Sequence, residues 1–320
     1  MNSDVDVVVV GSCLVEMTPV ATGRQLTETS QYRALPSGSA SNFAAALGRL
    51  GVATGFITRV GDDELGQWLL AKLREFGVRT EGFAGAVKGQ LTPVSFCWMD
   101  QKGEKTFYFY RFEGACDPMG ELDASGLSTE TIGRGRIFDF TEAAIRQQPL
   151  RGMALAAARN ARETGLEVAY AANYRPSSWS VDVEKQIRVQ HTAFASADIV
   201  LMNREEAMLF TPRDTVEEAA EFVASLGPKI VAITDGDSGA YVYSDAIMHK
   251  IAPRRVKVEY DIGAGDTFHA GFLAAYLDGR PPEAMGRFAA DAAALRISRS
   301  AQMECLPTFD EVDDLTKQPT

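Results

Sequence analysis

Four consecutive valines, Val7-Val8-Val9-Val10, stop at Gly11. So short a β-branched run, bounded by glycine, reads as a strand covered on both faces. Similar short apolar runs recur at residues 166–171, 199–202 and 230–234. Each follows a helix-like stretch: 152–163 is alanine-rich, 191–197 is shorter, and 215–226 opens with an acidic first turn. Strands alternating with helices predict βαβ units and a mostly parallel sheet, an α/β fold. With 320 residues, 46% of them hydrophobic, the chain buries a substantial core without metals or disulfides. One large domain with a small appendage and two domains both fit that length.

Residues 94–98 and 105–111 read differently. They flank Asp100-Gln101-Lys102-Gly103, and Phe107 and Phe109 alternate with Tyr108 and Tyr110, which predicts an antiparallel hairpin. A lid and a hairpin at the edge of the main sheet both satisfy this pattern.

The formal net charge is −11 and no block of lysines or arginines stands out, so a nucleic-acid groove and an anionic membrane surface are excluded as expected partners. Phosphate, if bound, has to be held by local dipoles. Residues 1–10 carry two aspartates ahead of the valines, too short and acidic a start for a signal peptide. No apolar run approaches the ~20 residues that span a bilayer. Cys13, Cys97, Cys116 and Cys305 are widely spaced, without a CxxC pair or a neighbouring histidine. Reduced thiols, and a cytoplasmic location, are the expectation.

The segment Asp261-Ile262-Gly263-Ala264-Gly265-Asp266-Thr267-Phe268-His269-Ala270-Gly271-Phe272 carries the most chemistry. Small residues at 263–265 let the backbone approach a ligand, and 268–277 has the composition of a helix whose unpaired amides would point at it. In the first turn Asp266 is suited to accept a hydroxyl proton beside a transferred phosphate. A glycine turn before a helix, with an aspartate favoured by the helix dipole, explains the same residues. On this segment alone the two readings stand level.

Other motifs lie around it. Ser37-Gly38-Ser39-Ala40-Ser41-Asn42-Phe43-Ala44, leading to Leu47-Gly48-Arg49-Leu50-Gly51, is similar to GGAPANVAxALxRLG; Val60-Gly61-Asp62-Asp63-Glu64-Leu65-Gly66 is similar to VGxDxxG, followed by Gly77-Val78. Asn203-Arg204-Glu205-Glu206 matches NxxE, Thr234-Asp235-Gly236-Asp237-Ser238-Gly239 is similar to TxGxxG, the segment around Asp266 corresponds to DTxGAGDxFxAGF, and Leu306-Pro307-Thr308 resembles the usual end. Six motifs in order are far more specific than any one of them. Over nearly its whole length the chain resembles the ribokinase, or PfkB-type carbohydrate kinase, family.

That resemblance implies a ribokinase-like, Rossmann-type αβα sandwich in one domain over 1–320, with a small β-lid from segments about 12–36 and 92–113. It implies ATP and Mg²⁺, a carbohydrate substrate, Asp266 as the base, and Gly263, Ala264 and Gly265 as the anion hole. Thr234, Gly236 and Gly239 would lie near the nucleotide, and Asn203 and Glu206 would organise Mg²⁺ through water. A helix cap and a solvated acid is the other reading of that last pair. His269 is expected to pack, and His191 and His249 to be structural. The resemblance also leaves room for a homodimer built through the lid.

Within the family, Gly11-Ser12-Cys13-Leu14-Val15-Glu16-Met17, Phe109-Tyr110-Arg111, Ala115-Cys116-Asp117 and Asn173-Tyr174-Arg175-Pro176 with Trp179 resemble the branch of 2-keto-3-deoxygluconate kinases and fructokinases. Arg111 and Arg175 are the residues able to grip a carboxylate bidentately. Glu16, Gly38 and Asn42 would bind sugar hydroxyls. A sugar acid such as 2-keto-3-deoxygluconate is therefore the expected acceptor, with fructose, a nucleoside or another sugar as alternatives, and a non-catalytic binding relative as an alternative of another class. Ala171 and Ala172 stand where aspartate and proline are usual, and Tyr260-Asp261 where Asp-Thr is usual. Many family members are activated by monovalent cations beside this loop. The resemblance places the usual cation-binding aspartate at Tyr260 and a threonine at Ile262, which implies little K⁺ dependence.

Overall fold

The computed structural model describes residues 4–20, 26–99, 105–110, 117–259, 261–300 and 305–318. In chain order the strands are β1 (Val7–Val10), β2 (Leu14–Pro19), β3 (Tyr32–Ser37), β4 (Thr54–Ile57), β5 (Arg59–Gly61), β6 (Val78–Arg79), β7 (Gly85–Val87), β8 (Val94–Met99), β9 (Lys105–Tyr110), β10 (Ile137–Thr141), β11 (Glu167–Ala171), β12 (Ile199–Asn203), β13 (Ile230–Thr234), β14 (Ala240–Ser244) and β15 (Ile247–Ile251). The helices are α1 (Ser39–Arg49), α2 (Glu64–Glu75), α3 (Thr129–Ile132), α4 (Leu150–Glu163), α5 (Val183–Ala195), α6 (Arg204–Phe210), α7 (Val216–Ser225), α8 (Ala264–Leu277), α9 (Pro282–Ile297) and α10 (Phe309–Thr316).

Nine strands form the main sheet in the order β15-β14-β13-β12-β11-β10-β1-β4-β6. Pairing is parallel from β6 to β13, and β14 and β15 add an antiparallel edge. Because side chains alternate along a strand, β1 feeds both cores. Val7 and Val9 pack with Phe43, Phe272 and Phe288 of α1, α8 and α9, while Val8 and Val10 pack with Phe138, Phe140, Phe194 and Phe210 on the opposite face. All four valines are fully buried, and each such side chain stabilises the fold by roughly 1.5–3 kcal/mol. The αβα arrangement expected from the sequence is present.

The hairpin of β8 and β9 does not extend the main sheet. It joins β2 and β3 in a separate four-stranded sheet, β3-β2-β8-β9. The expected short helix at 191–197 is longer and starts earlier, as α5 from Val183, where the Asp182 side chain caps it by accepting the Lys185 N–H. Cys13 and Cys97 are free and buried, Cys305 is free and half-buried, and Cys116 lies outside the described residues. Burial pushes the Cys13 thiol up to about 11. Among the described residues no helix is long and apolar enough to cross a membrane.

Candidate active site

From β1 the chain runs outward through β4 to β6, then returns to the other side of β1 at β10 and proceeds outward through β11, β12 and β13. Such a reversal opens a crevice beyond the carboxyl ends of the strands on either side of it. A cavity of about 100 Å³ lies there, walled by Ser12 after β1, Thr141 at the end of β10 with Glu142 just after it, Arg175 after β11, and Asp266 of α8. Glu16, Ser95, Phe107 and Phe109 of the second sheet close it from above. A larger depression, about 510 Å³, is lined mainly by exposed side chains such as Arg213, Asp214 and Glu218 beside α7, remote from these strand ends.

Gly263 is the N-cap of α8 with φ 83°, a left-handed conformation that costs other residues strain. A Cβ added at Gly265 would meet nothing within 4 Å, so the helix N-terminus faces open space. The Ala264 N–H makes only a long 3.3 Å bond to the Asp261 carbonyl. Such loosely held first-turn amides suit an anion.

Asp266 is 8% exposed. Ser39 Oγ donates to its Oδ1 at 2.5 Å, and Asn42 Nδ2 donates to its Oδ2 at 3.1 Å. Burial holds the carboxyl above its ordinary value, against the opposing pull of those two hydrogen bonds and the Arg175 charge. The result is an oriented carboxylate of enhanced basicity, as a general base requires. Asn42, expected at a sugar hydroxyl, thus lines the cavity and also holds the Asp266 carboxylate. Ser39, quoted in the same motif, was not singled out as a site residue from sequence.

One turn on, His269 is buried and stacks on Phe43 with ring centroids 4.0 Å apart. Its Nε2 also stands 3.0 Å from Asp139 Oδ2, a short contact not aligned as a hydrogen bond. Asp139 lies on β10 and is completely buried; desolvation raises its pKa, which His269 opposes.

On the acceptor side, Glu16 is 4% exposed, accepts the Ser37 hydroxyl at 3.1 Å and lines the cavity with Gly38, the N-cap of α1. Arg175 is present, its Nη1 donating to the Tyr174 carbonyl at 3.1 Å. Arg111 lies outside the described residues. Arg146 contributes a guanidinium to the same cavity, with its Nε 3.5 Å from Glu142 Oε2, and Glu142 also accepts the Trp179 indole N–H. Neither Glu142 nor Arg146 was singled out from sequence. Two opposite charges four residues apart, directly after the apolar run of β10, were the available signal.

Thr234, Gly236 and Gly239 lie apart from this cavity, at the turn joining β13 to β14, where the Asp235 N–H donates to the Gly239 carbonyl at 2.8 Å. A Cβ at Gly239 would fall 2.0 Å from the Ile251 carbonyl oxygen, so only glycine fits there. Asn203 pairs in register with Thr234, which brings the expected metal and nucleotide residues to neighbouring strand ends. Asn203 and Glu206 form a capping box on α6. Glu206 is not a solvated acid: it is 5% exposed, and its two oxygens accept the Asn203 and Tyr174 N–H groups at 2.8 and 2.6 Å. Burial pushes it up to about 7. Its oxygens keep further lone pairs, so a water-bridged Mg²⁺ fits this donor set. Among the described residues no cluster of three or more acidic, histidine or cysteine side chains forms a protein metal cage.

The chain is 29% identical over 318 residues to Probable fructokinase-5 of Arabidopsis thaliana, covering 96% of each. It is 26% identical over 316 residues to the 5-dehydro-2-deoxygluconokinase of Listeria monocytogenes, covering 98% of this chain and 96% of the relative. The structure of a fructokinase with bound ATP from Xylella fastidiosa superposes with a TM-score of 0.83 at 22% identity, over 97% of both chains, and so shares the fold. The family model described as pfkB family carbohydrate kinase matches residues 4–309, and the chain accordingly belongs to that family and is a sugar kinase.

Proposed function

We propose that the protein transfers the terminal phosphoryl group of ATP to a hydroxyl of a small sugar acid of the 2-keto-3-deoxygluconate type. The observation that carries this reading is Asp266, buried in the first turn of α8 and held by Ser39 and Asn42 beside a cavity that also contains Arg175. The acceptor hydroxyl gives its proton to the Asp266 carboxylate as its oxygen attacks the phosphorus, and ADP leaves in line. Amides of Gly263, Ala264 and Gly265 at the helix N-terminus receive the charge on the transferred group. Thr234, Gly236 and Gly239 hold the nucleotide phosphates. Asn203 and Glu206 would hold Mg²⁺ through water, and the ion would supply neutralisation of phosphate charge.

Glu16, Gly38 and Asn42 bind sugar hydroxyls, and the four-stranded sheet acts as a lid that excludes water. Its Phe96, Trp98, Tyr108 and Tyr110 form contacting aromatic pairs, with Tyr108 and Tyr110 well exposed, and offer a face for the lid-to-lid homodimer. Arg175 suits an acid because a guanidinium pairs with a carboxylate through two parallel bonds. A second reading, a neutral ketose, draws on the 29% identity to Probable fructokinase-5. An ADP-release assay across sugar acids, ketoses and nucleosides decides between them. Preferred turnover of a sugar acid, with Arg175→Ala raising its KM more than that of fructose, is the expected result; preferred turnover of fructose or a nucleoside would overturn the acid assignment.

A further inference from the structure

ATP carries a strongly negative triphosphate, yet the turn that would hold it, Thr234-Asp235-Gly236-Asp237-Ser238-Gly239, is itself acidic. An aspartate there opposes binding in two ways, since its charge repels phosphate and its oxygens compete for the same backbone N–H groups. Asp235 is the N-cap of the single 3₁₀ turn Gly236–Ser238, a place where an aspartate usually accepts from the amides of the turn, but its side chain makes no such bond. Its Oδ2 instead accepts from Arg204 Nη1 at 2.9 Å. Sheet register brings the two together: Asn203 of β12 lies opposite Thr234 of β13, so the next residues, Arg204 and Asp235, leave neighbouring parallel strands side by side. Among the described residues the N–H groups of Gly236 and Asp237 have no hydrogen-bond partner, and a Cβ added at Gly236 would meet nothing within 4 Å. The turn thus keeps its amides free and facing open space.

We propose that Arg204 is a positioning residue for the nucleotide, which draws the Asp235 carboxylate off the turn and neutralises it, leaving the Gly236 and Asp237 amides to the phosphates of ATP. The proposal rests on the reading that this turn holds the nucleotide phosphates. It adds a pair to which neither motif assigns a part, because Arg204 fills a variable position of NxxE and Asp235 a variable position of TxGxxG. The Arg204 side chain is 52% exposed and that of Asp235 13%, and a pair so open on one side contributes little to stability. Its effect falls on whatever anion the turn receives.

The test measures the Kd of ATP by calorimetry, with and without Mg²⁺, and the KM for ATP and for the acceptor, 2-keto-3-deoxygluconate or fructose. The variants are Arg204→Ala, Asp235→Asn, their double combination, and Thr234→Val as a marker of the same turn. Arg204→Ala should weaken ATP about three- to tenfold, more so at low ionic strength, with the KM for the acceptor and the melting temperature unchanged. Asp235→Asn/Arg204→Ala should bind ATP as the parent does, because the repelling carboxylate is gone, and Arg204→Lys should keep most of the affinity. If Arg204→Ala binds ATP like the parent while Thr234→Val binds it more weakly, the role of Arg204 is overturned and the nucleotide reading stands. If neither variant affects ATP, or the parent does not bind it, both are overturned. A loss in Arg204→Ala that Asp235→Asn does not repair, or that extends equally to the acceptor, also overturns the proposal, since Arg204 then does not act through Asp235.

Discussion

Ser39 Oγ lies 2.5 Å from Asp266 Oδ1, a hydrogen bond that ties the start of α1 to the first turn of α8 across 227 residues of sequence. It stabilises the ionised carboxyl and so lowers a pKa that burial raises. Removing it in Ser39→Ala should raise the Asp266 pKa. Because the base works ionised, the acidic limb of the kcat/KM profile should move to higher pH, with the rate falling most on the acid side. An unmoved limb would show that Asp266 does not govern it.

Asp266→Asn keeps the volume and the possibility of hydrogen bonds to Ser39 and Asn42, but the amide cannot take the hydroxyl proton. Phosphoryl transfer should fall by roughly 10²- to 10⁴-fold while ATP binding persists. ADP release and calorimetric titration with ATP measure the two separately. Turnover close to that of the parent would remove Asp266 from the role of base.

The contact of His269 with Asp139 makes a prediction about stability. Both side chains are buried, and among the described residues neither oxygen of Asp139 has an aligned hydrogen-bond partner. His269→Phe keeps a ring to stack on Phe43 but leaves the carboxyl without its partner. The expected cost is about 3–5 kcal/mol, read from urea denaturation. Asp139→Asn/His269→Phe, which removes the charge as well, should recover much of it. The sign with pH is set by the raised folded-state pKa of Asp139: the unfolded chain ionises first, so the stability of His269→Phe should decline further as pH rises from the ordinary aspartate value of 3.8. A cost below about 1 kcal/mol would show the pair to be uncoupled.

Four of the nine main-sheet strands, β1, β11, β12 and β13, were legible because a strand covered on both faces is largely apolar, as at Val7–Val10; β4, β6, β10, β14 and β15 were not picked out. The start of α5 was not, since Glu184, Lys185, Gln186 and Arg188 carry no apolar stripe and only the Asp182 cap marks it. The glycine loop and Asp266 could be singled out because they are contiguous in sequence and stand in company with the other motifs. Ser39, Glu142 and Arg146 were not: their meaning comes from partners brought near by the sheet topology. Asp139 interrupts an apolar strand, Ile137–Thr141, and that break in pattern was the signal for a buried polar contact.

Monovalent cations test the region beside the anion loop. Where the family resemblance leads one to look for oxygen ligands, the chain has Ile262, while Tyr260 lies outside the described residues. Ile262, Gly263 and Arg296 line one small cavity of about 30 Å³ adjoining the active site. Arg296 is 6% exposed, and its Nε lies 3.8 Å from where a Cβ on Gly263 would stand. A hard cation seeks oxygen donors, and a hydrocarbon side chain beside a buried positive charge offers the opposite. The enzyme should therefore show little K⁺ dependence while still requiring Mg²⁺. Titrating KCl against tetramethylammonium chloride at constant ionic strength separates specific activation from screening. A several-fold, saturable rise with K⁺ alone would mean that Asp261 or backbone carbonyls supply the missing oxygens in spite of Arg296.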